Sequence, residues 1–417
     1  MAKENALETP GKPPIDEGRM RFVKQMFSKY YSETRVPAPS RIEQREFGVI
    51  TERAGMWRHL GFPTNSEMLL FLMKQVPLHV YHSSAYYEKP NARTMDEKTW
   101  IGADLIFDLD ADHIEGTEKM TMEEMLAKVK VQFTKLLDSF LLGDFGFNEK
   151  DIKIVFSGGR GYHAHVSNGK VLKLDSHERR EIVDYITNPN PDFERLIRKD
   201  PWDVKVFQGH VSRKYIYKLY PPETPGWRGK VTAAVFEYLN RTENMSRKDI
   251  IRDLTAFSGI GDKLAVEMYE SLYPGKKGNR GIDKIRDELN LEPFKEDLVR
   301  NNFIKHIIQN VSIQLSGETD EPVTSDVKRL IRLPESLHGK TGLVVRKLGI
   351  DEYRDFRPLE HAVWEGFGEN PVRIRATEDF EIKLGGEKFA LKKDGETELP
   401  TYAATFFACQ KKCDILF

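Results

Sequence analysis

A chain of 417 residues is too long for one ordinary compact domain, so a catalytic core carrying an inserted or appended module is expected. The formal net charge of -1 and sequence pI of about 6.9 supply no global basic field, so any contact with a polyanion has to come from local patches. Two cysteines, Cys409 and Cys413, exclude a disulfide framework. No apolar run approaches the ~20 residues of a membrane span and the N-terminus lacks an apolar signal core, so a soluble cytosolic protein that does not engage membranes is expected.

Residues 1–18 are rich in Pro, Gly, Glu and Lys with almost nothing to bury, and read as a flexible arm. From Arg21 to Leu78, the residues Phe22, Met26, Phe27, Tyr30 and later Met68, Leu69 and Leu72 recur at helical spacing. Pro37, Pro39 and an extended piece over Arg45–Thr51 interrupt them, so this stretch reads as helix around one extended element. Strands are predicted at His79–His82 and Ala103–Asp110, the latter a buried run of Leu105, Ile106 and Phe107 that ends in acid. Met122, Met125, Leu126, Val129, Phe133, Leu136, Leu137 and Phe140 line one face of an amphipathic helix over Met122–Leu142. Ile152–Phe156 is a second buried strand, and a glycine-rich turn leads from it into a third at His163–Val166. From Asp175 to Gln309 helical patterning dominates, with breaks at Pro189, Pro201, Pro221 and Pro225, which reads as an inserted module of residues 175–310. Beyond Asp320 the pattern predicts a helix over Val327–Leu333, a turn at His338–Gly342, and alternating extended pieces to the C-terminus. No internal repeat is visible.

Three clusters carry chemistry. In Phe107-Asp108-Leu109-Asp110 the acids stand at i and i+2, and on a strand such side chains project from one face. Their backbone separation of roughly 7 Å lets two carboxylates converge on a pair of divalent cations ~3.5–4 Å apart. Acids at a strand end also occur simply as loop residues facing water, and the motif alone leaves both readings open; Asp112 and His113 just beyond are bystanders. In Ser157-Gly158-Gly159-Arg160-Gly161-Tyr162-His163 three glycines let the backbone bend close to an anion, Arg160 offers a bidentate fork, and Ser157 and His163 add donors. This is a triphosphate cradle or a glycine-rich hairpin with incidental polar residues; it is not a Walker A loop, since the Lys-Ser/Thr pair is missing. His165 shares the face of His163 and stays with the incidental residues. The third cluster joins Asp320, Arg332 and Leu337-His338-Gly339-Lys340-Thr341-Gly342, a carboxylate, cations and a glycine turn. Phe257–Ala265 is similar to the turn of a helix-hairpin-helix, but Asp262 inside it counts against phosphate, and it is not taken as a site.

In this order the clusters resemble the archaeo-eukaryotic primase superfamily, whose members carry an hhDhD strand, an S-x-x-R-G-x-H turn and a later acid. Arg45-Glu46-Phe47, Tyr81–Tyr87, Asp144-Phe145-Gly146-Phe147 and Leu333–Gly342 look like motifs of the replicative small subunit, archaeal type, and the similarity covers roughly Arg21 to Gly349. The resemblance implies an α+β fold: a primase-type catalytic core of mixed and antiparallel sheets flanked by helices, formed by residues 19–174 and 311–417 around the inserted helical module 175–310. It makes Asp108, Asp110 and Asp320 the metal-binding catalytic triad for two Mg²⁺ or Mn²⁺ ions. Ser157, Arg160, His163, Arg332 and His338 become triphosphate contacts, with Arg45 a further nucleotide contact. The acid at Asp320 follows Thr319 where the family has an apolar residue, and Arg332 falls where relatives have Lys or Arg. Unlike many small subunits, Asp112–Ile152 contains no cysteine, so no structural zinc is expected there.

The activity so implied is template-directed de novo synthesis of short primers from NTPs or dNTPs on single-stranded DNA, in a heterodimer with a primase large subunit at the replication fork. A primase-polymerase or repair polymerase of the same superfamily is the alternative enzyme. A catalytically inactive nucleic-acid-binding scaffold is the alternative from another class, disfavoured because clustered carboxylates repel DNA phosphates.

Overall fold

The computed structural model describes residues 17–52, 55–111, 120–188, 191–207, 210–257, 259–311 and 323–416. The chain divides into two compact units, one of residues 1–133, 147–181 and 315–417, the other of 134–146 and 182–314. Every strand pairing among the described residues is antiparallel, and helices accompany the sheets, an α+β architecture. Among these residues no helix is long and apolar enough to cross a membrane.

Two four-stranded sheets organise the first unit. One contains β1 (Phe47–Ile50), β2 (Met56–Leu60) and β3 (His79–Ser83); the other contains β4 (Leu105–Asp110), β5 (Ile152–Phe156) and β6 (Gly161–Val166). Late segments complete both: β7 (Leu330–Arg332) adds to the edge of β3, giving the order β7-β3-β1-β2, and β8 (Lys347–Leu348) adds to β5, giving β8-β5-β6-β4. In the second sheet β6 lies between β5 and β4 and is buried along its whole length. The helix Met122–Lys135 buries Leu126, Val129 and Phe133, whose ring meets Tyr162 of β6 and Tyr353.

Several expectations change. The region Arg21–Leu78 holds two helices, Glu17–Glu33 and Asn65–Gln75, but also two strands, β1 and β2, where one extended element was predicted. The single strand expected over Ala103–Asp110 is two: Trp100–Ala103 pairs with Ala85–Tyr87, whereas β4 pairs with β6, and Asp104 between them turns its carboxylate to Arg45. The helix expected at Val327–Leu333 is instead β7, in register Leu330↔Ser83, Ile331↔His82 and Arg332↔Tyr81. Apolar residues in so short a run satisfy either period. Pairing with β3 decides for the strand, burying Ile331 against Ile106 and Val323. Near the C-terminus the extended pieces include Phe380–Leu384 and Glu387–Leu391, but also a helix, Thr401–Cys409, buried on almost all sides.

The second unit contains helices Trp227–Thr242, Arg247–Thr255, Asp262–Leu272, Gly281–Glu288 and Asp297–Val311. It also holds a hairpin of Arg198–Phe207 and His210–Lys218, strands that the helical reading of residues 175–310 did not contain. Leu136–Asp144 is a π-helical stretch, whose last turn closes with Phe145 N–H on Phe140 O at 2.8 Å.

Candidate active site

The alternation of β4 sends Phe107 and Leu109 into the core and Asp108 and Asp110 to the opposite face. Both acids line a cleft of about 1410 Å³ in the first unit. Across the ladder Asp108 stands opposite His163 and Asp110 opposite Gly161. His163 Nε2 is 3.4 Å from Asp108 Oδ1. A side chain cannot replace Gly161, because its Cβ would lie 2.4 Å from Leu109 O and 3.2 Å from Asp110 Oδ2.

The turn between β5 and β6 is held from inside. Ser157 Oγ accepts from the N–H groups of Gly159 and Gly161, each at 3.2 Å, and Gly158 takes φ +75°, the left-handed region open to glycine. Thr341 Oγ1 donates to Gly158 O at 2.6 Å, which ties this turn to the His338–Gly342 loop. His338 packs on Gly158 so closely that a Cβ there would stand 2.6 Å from the His338 Cβ.

Arg332 reaches the same cleft from β7, above the Tyr81 ring at 5.1 Å. Its Nη1 donates to His79 Nδ1 at 2.7 Å, and Gly339 N–H donates to the same nitrogen at 3.2 Å. Burial lowers the Arg332 pKa, while Tyr81, Asp108 and Asp110 draw it back up. The imidazoles around it are neutral. Burial pushes His163 down to about 3, with Arg332 and Arg329 adding to the shift, and His79 down to about 3, with Arg332 and Lys340 adding. His338 is held well below its ordinary value by burial and by Arg332, His79, Lys340 and Arg160.

Seven residues singled out in the sequence therefore share one cleft: Asp108, Asp110, Ser157, Arg160, His163, Arg332 and His338. Asp320 lies outside the described residues, as do Asp112 and His113. Among the described residues no set of three His, Cys, Asp or Glu side chains is placed to hold a metal ion. The oxygen donors of Asp108 and Asp110 on one strand face suit a hard divalent cation, and a third ligand has to come from elsewhere.

Arg45 is a correction. It is 1% exposed and does not line the cleft. Its five N–H groups go to Ser40 O, Ser83 O, Ser84 O, the Tyr86 hydroxyl and Asp104 Oδ2, so it organises the core rather than meeting a nucleotide. The extended piece it opens carried no sign of this, because its partners come from other elements. His165 is buried one step deeper along β6, its ring 6.1 Å from that of His163.

Sequence reasoning missed other parts of the cleft. Tyr81, Lys340 and Thr341 sit within motifs already noted, so their spacing to His82 and His338 was the available signal. Arg329 and the lysines 383, 388, 411 and 412 had none, being scattered charges in segments without a motif. With them the cleft is lined by eight Lys and Arg against four acids, in a chain of net charge -1, so the local field that a polyanion needs is concentrated here.

The sequence matches the DNA primase small subunit family over residues 107–350. It is 43% identical over 390 residues to the DNA primase small subunit PriS of Methanothrix thermoacetophila, covering 92% of this chain and 96% of that protein. The PriS of Methanosarcina barkeri is 38% identical over 408 residues, covering 95% and 96% of the two chains. That of Picrophilus torridus is 40% identical over 388 residues, covering 92% and 95%.

Proposed function

The chain belongs to the DNA primase small subunit family, a DNA primase catalytic subunit, and we propose that the Asp108 and Asp110 cleft is where it joins nucleotides into primers. The reading is template-directed de novo synthesis on single-stranded DNA from nucleoside triphosphates. One observation carries it: two carboxylates on one strand face open onto the same cleft as Arg160, Arg332 and His338. Carboxylates alone repel a polyphosphate, and cations alone hold no metal; a nucleotidyl transfer site needs both within one cavity.

Asp108 and Asp110, with Asp320 by family resemblance, would hold two Mg²⁺ or Mn²⁺ ions. When bound, such ions would supply Lewis-acid activation of a 3′-hydroxyl and charge neutralisation at the polyphosphate. The chain's own residues do the rest. His163, 3.4 Å from Asp108 and with its pKa pushed down by burial, would steady that carboxylate. Arg332, fixed by His79 and Tyr81, and Arg160 at the glycine turn orient the triphosphate for in-line attack. The N–H groups of Gly159 and Gly161 are occupied by Ser157, so that turn grips phosphate through side chains rather than a backbone nest.

A primase large subunit as partner, single-stranded DNA as template and a cytoplasmic location at the replication fork complete the proposal, supported by the small-subunit family to which the chain belongs. The test is primer synthesis on unprimed single-stranded DNA with Mg²⁺ or Mn²⁺, comparing NTPs with dNTPs. Dinucleotide formation is expected, and Asp108→Ala should abolish it, by at least about 10³-fold, with an unchanged circular dichroism spectrum. Extension of a supplied primer without any joining of free nucleotides would leave a polymerase of the superfamily but not a primase.

A further inference from the structure

The hydrogen bonds around Thr341 determine which nitrogen of His338 carries its proton. Thr341 Oγ1 lies 2.6 Å from Gly158 O, a carbonyl that can only accept, so the hydroxyl hydrogen points there. The same oxygen accepts from Leu343 N–H at 3.2 Å. His338 Nδ1 lies 3.1 Å from it, and with the hydroxyl hydrogen already committed, this contact bonds only if Nδ1 is the donor. A neutral imidazole has one N–H, so Nε2 carries a lone pair. Nε2 sits beside Gly159 in the cleft, 3.3 Å from where a Cβ on that glycine would stand.

A lone pair aimed into a cleft rich in cations is an acceptor where a phosphate oxygen, also an acceptor, is expected. The two bond only with a proton between them. We propose that Thr341 is a positioning residue that holds His338 protonated on Nδ1 and bare on Nε2, so that a nucleoside triphosphate binds with uptake of one proton from solvent. The proton forms an N–H bond at Nε2 and is donated to a phosphate oxygen; no other covalent bond changes. This inference rests on the reading of the cleft as a triphosphate site.

Groups facing the ring from each packed element favour the bare form before the nucleotide arrives. Arg160 comes from the glycine turn, Arg332 from β7, His79 from β3 and Lys340 from its own loop; the three charged ones are cations, and burial acts in the same direction. A bound polyphosphate reverses the sign of the local field, so the proton becomes stable on Nε2. The free ring has a depressed pKa and the bound ring a raised one. Binding therefore tightens as pH falls through the bound-state value, by up to about tenfold per pH unit.

The test is calorimetric titration of magnesium–ATP into the full chain at neutral pH, in buffers of different ionisation enthalpy. Wild type and Thr341→Ser should take up close to one proton per nucleotide bound. Thr341→Val, which frees Nδ1 and lets the ring present an Nε2–H beforehand, should take up close to none. Clear binding without proton uptake in wild type would overturn this inference alone, as would equal uptake in Thr341→Val. Absence of magnesium–ATP binding in wild type would overturn it together with the triphosphate site. Nitrogen NMR of the histidine-labelled wild-type chain gives a check that needs no variant: His338 with Nε2 protonated in the free protein would refute the assignment.

Discussion

Arg332 and His79, 253 residues apart, meet at 2.7 Å, and the imidazole Nδ1 that receives the guanidinium also receives the backbone N–H of Gly339. One neutral ring thus fixes a cation from β7 and the loop that carries His338. Removing it as His79→Ala leaves Arg332 charged and over the Tyr81 ring, but without its imidazole acceptor. The expected result is a rise in nucleotide KM of about tenfold with a smaller change in kcat, from the loss of a hydrogen bond to a charged group. Steady-state primer synthesis against nucleotide concentration measures it, and an unchanged KM would show that Arg332 needs no such support.

His163 Nε2 lies 3.4 Å from Asp108 Oδ1, and burial with the nearby arginines pushes its pKa down to about 3. Groups that orient a metal-binding carboxylate typically matter by about 10–100-fold in activity or metal affinity. His163→Ala is expected to lose activity in that range, with partial recovery as Mg²⁺ or Mn²⁺ is raised. A loss insensitive to metal concentration would place the residue on the triphosphate instead.

The Arg45–Asp104 pair, 2.6 Å apart and almost wholly buried, predicts a stability effect without a binding effect. Removing one partner strands the other charge, at a cost of about 3–5 kcal/mol. Arg45→Met should therefore lower the melting temperature while leaving nucleotide KM unchanged well below it. Burial by itself would raise the Asp104 carboxyl, but Arg45 and Tyr86 outweigh it and hold its pKa below the ordinary carboxylate value. A depressed folded-state pKa contributes stability that is complete above the unfolded value of about 3.9 and is lost as pH falls through the folded one. Acid melting curves of wild type should show that loss, and Arg45→Met should show less of it.

Gly158 combines φ +75° with a Cβ position 2.6 Å from the His338 Cβ. Alanine there adds about 1–2 kcal/mol of left-handed backbone cost and displaces the histidine loop. Gly158→Ala is expected to weaken nucleotide binding by about tenfold, more than the same change at exposed, unobstructed Gly146, which also has a positive φ. Equal effects at both glycines would mean that backbone strain alone is at work.

Local patterns in the chain sufficed for what local physics decides. Strand alternation puts Asp108 and Asp110 on one face whatever surrounds them, and the run of glycines after Phe156 has to turn. The amphipathic period over Met122–Lys135 likewise needs no partner to be read. Short segments were another matter: Leu330–Arg332 is too brief for period to separate helix from strand, and only the open edge of β3 made it a strand. That single pairing is what brings Arg332 to His79 and into the cleft of the acids. Arg45 stands in a motif yet is consumed by five oxygens from other elements, and the lysines at 383, 388, 411 and 412 gain meaning only where the C-terminal segment packs. Side-chain roles that depend on distant partners are decided by packing, because a hydrogen bond or a field falls off over a few ångströms of space, and separation along the chain does not measure that distance.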